Sequence, residues 1–201
     1  MIALTDLLAK TAARHDHLCP RQVLGVRIGL LAADILKLTL PQSDKRLLTF
    51  VETDGCFADG VAVATGCELG HRTLRLMDYG KVAATFIDTK TGQAIRVTPN
   101  PAARTSAVLC TPNERSRWHT MLAAYQIMPT DDLLCWQEIH LTLDVEALIS
   151  RPGVRVNCIV CGEEILNQRE VIVNDMTLCR ACAGESYYEM TGELHHKVLH
   201  A

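Results

Sequence analysis

The order of apolar and polar positions divides the chain into helical and extended stretches. Ile2, Leu4, Leu7, Leu8 and Ala12 recur at near-helical spacing and predict a short amphipathic helix over residues 2–14, with Thr5 or Asp6 as its cap. Pro20 opens a second helix running to about Leu38, because proline suits the first turn, where its missing N–H costs no bond. Val23, Leu24, Val26, Ile28, Leu30, Leu31, Ile35 and Leu36 almost encircle that helix, so it is expected to be buried. Gly25 and Gly29, one turn apart, would let another backbone come close.

Residues 47–53 have the β-branched and aromatic content of a strand and end at the turn signal Asp54-Gly55. Residues 58–65 read as a helix of small residues finishing at Gly66, followed by strands at about 73–78, 82–89 and 93–98. Thr89-Lys90-Thr91-Gly92 suits a hairpin loop between the last two, so the middle of the chain is expected to be antiparallel sheet. Asn100-Pro-Ala-Ala reads as a turn, Asn113 as the cap of a helix over 114–128 that Pro129 stops, and 137–143 as one more alternating strand. Arg151-Pro152-Gly153 marks a boundary between an expected domain of residues 1–150 and a smaller one of 151–201.

The apolar fraction of 48% is ample for a core, although aromatics supply only 4% of the chain. The net charge of −3, with signs interspersed, offers no footprint for nucleic acid or an anionic membrane. No apolar run approaches the roughly 20 residues that cross a bilayer. The first residues, with an early Asp6 and no cleavage-type small residues after an apolar run, do not read as a secretory leader. The thiols are therefore expected to be reduced and the location cytoplasmic.

Nine cysteines then need an account. Cys158, Cys161, Cys179 and Cys182 form two C-x2-C knuckles with 17 residues between them, the spacing of a closed tetrahedral zinc site. Four thiolates leave no open position, so this zinc is expected to hold a fold rather than do chemistry. A hairpin around Asn174-Asp175 should lie between the knuckles. Residues 151–201 carry five Lys/Arg against seven Asp/Glu, which disfavours nucleic acid as the partner of this ribbon and leaves a protein contact.

A second cluster lies at the other end of the chain. His15, His17 and Cys19 alternate, so in an extended segment all three side chains would point the same way, a set suited to a borderline-soft divalent metal, with zinc again the expected ion. Cys19 also precedes a proline-started helix, whose positive end favours a thiolate, whether as ligand or as nucleophile. Cys56, at a strand end, is the expected further partner, and Cys67 lies between Gly66 and Gly70. Cys110 and Cys135, without such company, are assigned to packing.

Taken in order, His15-x-His17-Leu-Cys19-Pro20, Glu52-Thr-Asp-Gly-Cys56, Thr65-Gly-Cys67-x-Leu-Gly70 and Asp78-Tyr79-Gly80-Lys81 resemble the FmdE family of formylmethanofuran dehydrogenase. Asp16 and Arg21 stand where that family commonly has glycine. The resemblance implies an α+β fold with an antiparallel sheet packed with helices, followed here by the four-cysteine zinc ribbon. It also implies a homodimer and a metal cleft lined by the His, Cys and Asp-Tyr-Gly-Lys motifs. If that cleft is open, His17, Cys19 and Cys56 would hold the ion and His15 would be a fourth ligand or its support. Asp78 would orient an imidazole, Tyr79 and Lys81 would take an anionic group, and Cys67 would be a labile thiol. The function expected is that of a metal-binding accessory protein of a molybdenum or tungsten enzyme, with that metalloenzyme as partner. Two alternatives stay open: a metal-assisted hydrolase or thiol oxidoreductase, and a metal-sensing regulator acting through the ribbon.

Overall fold

A computed structural model describes residues 2–149, 153–189 and 191; Arg151 and Pro152 of the expected boundary and the tail from residue 192 lie outside them. The chain divides into two compact units, residues 1–145 and 146–201.

The first unit is α+β. Its five-stranded sheet runs β2-β1-β3-β4-β5, with β1 at Leu47–Val51, β2 at Leu74–Leu76, β3 at Ala84–Asp88, β4 at Ala94–Pro99 and β5 at Leu134–Glu138. Helices α2 (Pro20–Leu36) and α3 (Cys56–Thr65) pack against it, α1 (Leu4–Ala12) packs on those two, and α4 (Ala103–Cys110), α5 (Arg117–Ile127) and α6 (Thr130–Leu133) complete the unit. One pair departs from the expected antiparallel order: β2 lies parallel to β1. The reason is the connection, since α3 carries the chain from the end of β1 back to the start of β2, as a helical crossover must.

The buried helix α2 is confirmed, with Val23, Val26, Ile28 and Ala32 fully enclosed. Its glycines explain how it packs. A Cβ at Gly25 would lie 2.3 Å from the Phe57 carbonyl oxygen, one at Gly60 would lie 2.4 Å from the Gln22 carbonyl oxygen, and one at Gly29 would lie 2.6 Å from the Ala64 Cβ. Contacts advance along both helices in the same direction, so α2 and α3 run parallel with their first turns side by side. The small residues let the two backbones touch, and Phe57, entirely buried beneath them, seals the seam.

Three other expectations change. The final strand of the sheet begins and ends earlier than 137–143; it ends where Ile139 donates its N–H to the carbonyl of Ala94, the first residue of β4, before which the chain turns back to β3. The cap of α5 is Ser116, whose hydroxyl accepts the His119 N–H, in place of Asn113. Cys110 and Cys135 are exposed rather than packed: one ends α4, and the other starts the stretch of β5 that is exposed from Cys135 through Glu138.

Two bidentate ion pairs brace the sheet. Arg46 donates to both carboxylate oxygens of buried Asp88 at 2.9 and 2.7 Å, and Arg96 donates to both of Glu52 at 2.6 and 2.7 Å. These are short, charge-assisted forks, among the stronger polar contacts a protein makes.

In the second unit α7 (Val145–Ile149) leads in and two hairpins follow, β6 (Arg155–Asn157) with β7 (Glu164–Leu166) and β8 (Val171–Val173) with β9 (Met176–Leu178). The second of these turns at Asn174 and Asp175, both with positive φ, as the sequence indicates. Among the described residues no helix is long and apolar enough to cross a membrane.

Candidate metal centres

The ribbon's site is built by its two knuckles. Ligand atoms of Cys158, Cys161, Cys179 and Cys182 all lie within 4.8 Å of one another, and the sulfurs of Cys161 and Cys179 are 3.9 Å apart. Gly162, at φ 77°, follows the first knuckle and lets its N–H reach the Cys158 carbonyl, while the Cys182 N–H donates to the Cys179 sulfur at 3.4 Å. Backbone N–H groups of Cys161 and Cys179 bring the Cys158 thiol down to about 6, whereas hydrogen bonding to Cys179 and burial push Cys182 up to about 12. Four thiols packed so tightly cannot all ionise by themselves, and a dication removes that conflict. The donor set fits a structural zinc. Among the described residues the unit's own apolar core is Cys158, Ile165 and Leu178 with a few partly buried neighbours, too little to hold a fold by itself.

The N-terminal cluster is built differently from its sequence pattern. The segment after α1 is a turn, and Asp16 has φ 59°, so His15, His17 and Cys19 do not share the face of an extended strand. That conformation is one glycine adopts freely. His17 is turned out and exposed. His15 is turned in, with Nδ1 4.0 Å from the Cys56 sulfur and Nε2 2.6 Å from Oδ2 of Asp59.

Cys19 and Cys56 lie at neighbouring helix starts because the first turns of α2 and α3 pack side by side. Cys19 is the N-cap of α2 and is 8% exposed; Cys56 is the first residue of α3 and is half-buried. Burial, then hydrogen bonding and charge from Cys19, raise the Cys56 thiol above its ordinary value. Gly55, at φ 71° and ψ −153°, makes the bend that brings Cys56 in from β1, a conformation open to glycine and strained for other residues.

Fully buried Gln22 ties these pieces together. Its Oε1 accepts the Cys19 N–H at 2.7 Å and its Nε2 donates to the Thr11 carbonyl at 2.8 Å, joining the end of α1 to the start of α2 in a capping box where sulfur replaces the usual hydroxyl. Arg14 lies alongside, 3.3 Å from Asp59 and 3.9 Å from Glu68.

Asp59 and Gln22 are the residues that sequence reasoning missed. The spacing carried a signal for each: Asp59 is one helical turn beyond Cys56, and Gln22 is at the third position after a cap. Asp78 does not orient the imidazole; its carboxylate accepts the Gly80 N–H within its own turn, and Asp59 is the carboxylate at His15. Cys67, expected as a labile thiol, lies inside the core. It is 1% exposed, accepts from the Thr49 hydroxyl at 3.3 Å, and burial pushes its pKa up. Tyr79 and Lys81 are exposed side chains on a loop whose backbone N–H groups both donate to the Glu52 carbonyl, at 3.0 and 3.1 Å. The ribbon, rather than this cluster, is the set of described residues with three or more donor atoms mutually within 4.8 Å.

A family model described as FmdE, molybdenum formylmethanofuran dehydrogenase operon, matches residues 14–134, and one described as a prokaryotic dksA/traR C4-type zinc finger matches residues 152–188. A curated protein of Archaeoglobus fulgidus, named a probable S-adenosyl-L-methionine-binding protein, is 38% identical over 100 residues, which are 48% of this chain and 27% of that protein. The chain thus spans about a quarter of the length of that relative. A crystal structure of a tungsten formylmethanofuran dehydrogenase FmdE-like protein from Syntrophus aciditrophicus superposes with a TM-score of 0.58 at 22% identity, covering 94% of this chain and 96% of the other, a likeness of fold.

Proposed function

The chain belongs to the FmdE family, and on that premise we propose that it is a metal-binding accessory protein of a molybdenum or tungsten enzyme of the formylmethanofuran dehydrogenase type. What supports this reading is the approach of His15 Nδ1 to 4.0 Å from the Cys56 sulfur, with Asp59 behind the imidazole and Cys19 at the neighbouring first turn of α2. Two sulfurs and one imidazole nitrogen are the donors a borderline-soft divalent ion selects, and three protein ligands leave room for a fourth group.

Cys19, Cys56 and Nδ1 of His15 would hold the ion. When bound, it would supply a Lewis acid or a carrier position. Asp59 accepts the Nε2 proton of His15 and so keeps the Nδ1 lone pair facing the sulfurs, the support commonly given to ligand histidines. Arg14 restrains Asp59 from the other side. Tyr79 and Lys81 remain exposed near the backbone that leads into Cys56, and in this reading they receive an anionic group of the cargo or of the partner enzyme. The ribbon keeps its own zinc and offers a protein contact.

Metal counting tests the proposal. Full-length protein purified without added metal should carry two equivalents, and Cys56→Ser should carry one, retained by the ribbon. One equivalent in both proteins would contradict it.

A further inference from the structure

Strand β5 is an edge of the five-stranded sheet and pairs with β4 alone. Ile139 donates its N–H to the Ala94 carbonyl and Asn100 donates to the Leu133 carbonyl. By the alternation of an antiparallel ladder, the backbone groups of Cys135 and Gln137 then point to β4, and those of Leu134, Trp136 and Glu138 point outward. The Leu134 N–H is taken by the Thr130 carbonyl at the end of α6. The outward N–H groups of Trp136 and Glu138 and the outward carbonyls of Leu134, Trp136 and Glu138 have no backbone partner among the described residues. Sheets commonly blunt an open edge with a very short strand, a central charge, lysine or proline. The opposite edge is blunted in this way, since β2 has three residues with Arg75 at its centre. Strand β5 reads Leu-Cys-Trp-Gln-Glu, is exposed from Cys135 through Glu138, and leaves Trp136 48% exposed.

We propose that β5 pairs antiparallel with β5 of a second copy of this chain, about a two-fold axis at Trp136, and so joins two five-stranded sheets into one. The edge is complementary to itself under that symmetry. Trp136 faces the partner's Trp136, and the two exchange both of their outward N–H···O bonds. Each Glu138 N–H faces a Leu134 carbonyl, and the N–H that this register leaves over is that of Leu134, which α6 already uses. The two indoles lie side by side on one face and cover each other's exposed apolar surface, a cross-strand aromatic pair that adds to the ladder. No like charges are opposed: Glu138 faces leucine, and the end of β5 that follows Asp131 and Asp132 runs toward the partner's His140. The proposal is independent of the metal reading, because His15, Cys19 and Cys56 lie on other elements.

Sedimentation equilibrium of the full chain, as purified and with a phosphine reductant to exclude disulfides, measures the association. The expected result is a dimer, for the wild type and equally for Cys56→Ser. Trp136→Pro removes an N–H that points away from β4, so the sheet's own ladder is spared. It should weaken the dimer by about 30-fold or more, with circular dichroism unchanged. A second variant keeps Trp136 in place. Cys135 and the partner's Gln137 form a non-hydrogen-bonded pair with Cα atoms about 4.5 Å apart, a separation that a disulfide spans. Mild oxidation of Gln137→Cys should therefore give a covalent dimer linked between Cys135 and the introduced thiol, as located by mass spectrometry. A wild type that stays monomeric at every concentration would overturn the proposal and leave the edge to an extended segment of another protein. A dimer whose affinity Trp136→Pro leaves unchanged, or a Gln137→Cys dimer without that link, would overturn it as well.

Discussion

Asp59 Oδ2 lies 2.6 Å from Nε2 of His15, and this single bond decides which nitrogen of the ring faces Cys56. A carboxylate can only accept, so Nε2 is the donor in this bond, and in the neutral ring Nδ1 carries the lone pair. Asp59→Ala should therefore leave the fold in place and weaken the N-terminal site's hold on its ion by about 10- to 100-fold. Competition with a chromogenic chelator measures this, and an unchanged affinity would show that the imidazole is not a ligand.

The glycine seam has a different consequence. Adding a methyl at Gly25 or Gly60 forces it to within 2.3 or 2.4 Å of a backbone carbonyl oxygen, which cannot rotate away as a side chain would. Gly25→Ala should cost about 1–3 kcal/mol. It should also spread the first turns of α2 and α3. Urea denaturation followed by helical circular dichroism checks the stability, and metal counting on the same variant should show the second equivalent reduced.

The Arg46 fork sets an acid limit. Its hydrogen bonds lower the Asp88 pKa against the opposing effect of burial. A depressed folded-state value means that the contribution is complete above the unfolded value of about 4 and is lost as pH falls through the lower folded value. Asp88→Asn should destabilise by about 2 kcal/mol at pH 7. Its stability should then be flatter than that of the wild type across the acid range, as measured by denaturant midpoints from neutral pH downward.

Zinc removal should separate the two units. Among the described residues the ribbon has a buried apolar cluster of just Cys158, Ile165 and Leu178, so a strong chelator should unfold residues 153–189 while the sheet of the first unit keeps its slow-exchanging amides. Hydrogen exchange resolved by peptide reads both at once. Slow exchange persisting in β6 to β9 after chelation would contradict a folding role for the metal.

The parts of the fold that could be read from the sequence were those set by local pattern. Between Val23 and Leu36 only Arg27 and Asp34 interrupt the apolar residues, so burial of most of the helix followed directly, and the two C-x2-C pairs carried their own geometry. Helix α4 was not legible because Ala103-Arg-Thr-Ser shows little periodicity and follows two prolines that read as a turn. The parallel pairing of β2 was hidden for another reason: strand direction depends on where a crossover helix returns the chain, and Leu74–Leu76 is too short to announce it.

The candidate site was legible in part. Cys19 signalled itself by its place before a proline-started helix and Cys56 by its place at a strand end, and the structure puts them at the neighbouring first turns of α2 and α3. His17 did not follow, because alternation has meaning only in an extended chain and Asp16 turns it. Asp59 was overlooked because a carboxylate in a first helical turn is the ordinary response to the helix dipole; only the position of His15 gives it a second task.

Anomalous scattering from crystals of the full-length protein, purified without added metal, decides whether the N-terminal donors share an ion. Two peaks are expected, one at the centre of Cys158, Cys161, Cys179 and Cys182 and one bounded by Cys19, Cys56 and Nδ1 of His15. A single peak in the ribbon, with the His15, Cys19 and Cys56 side chains ordered around none, would refute the N-terminal site.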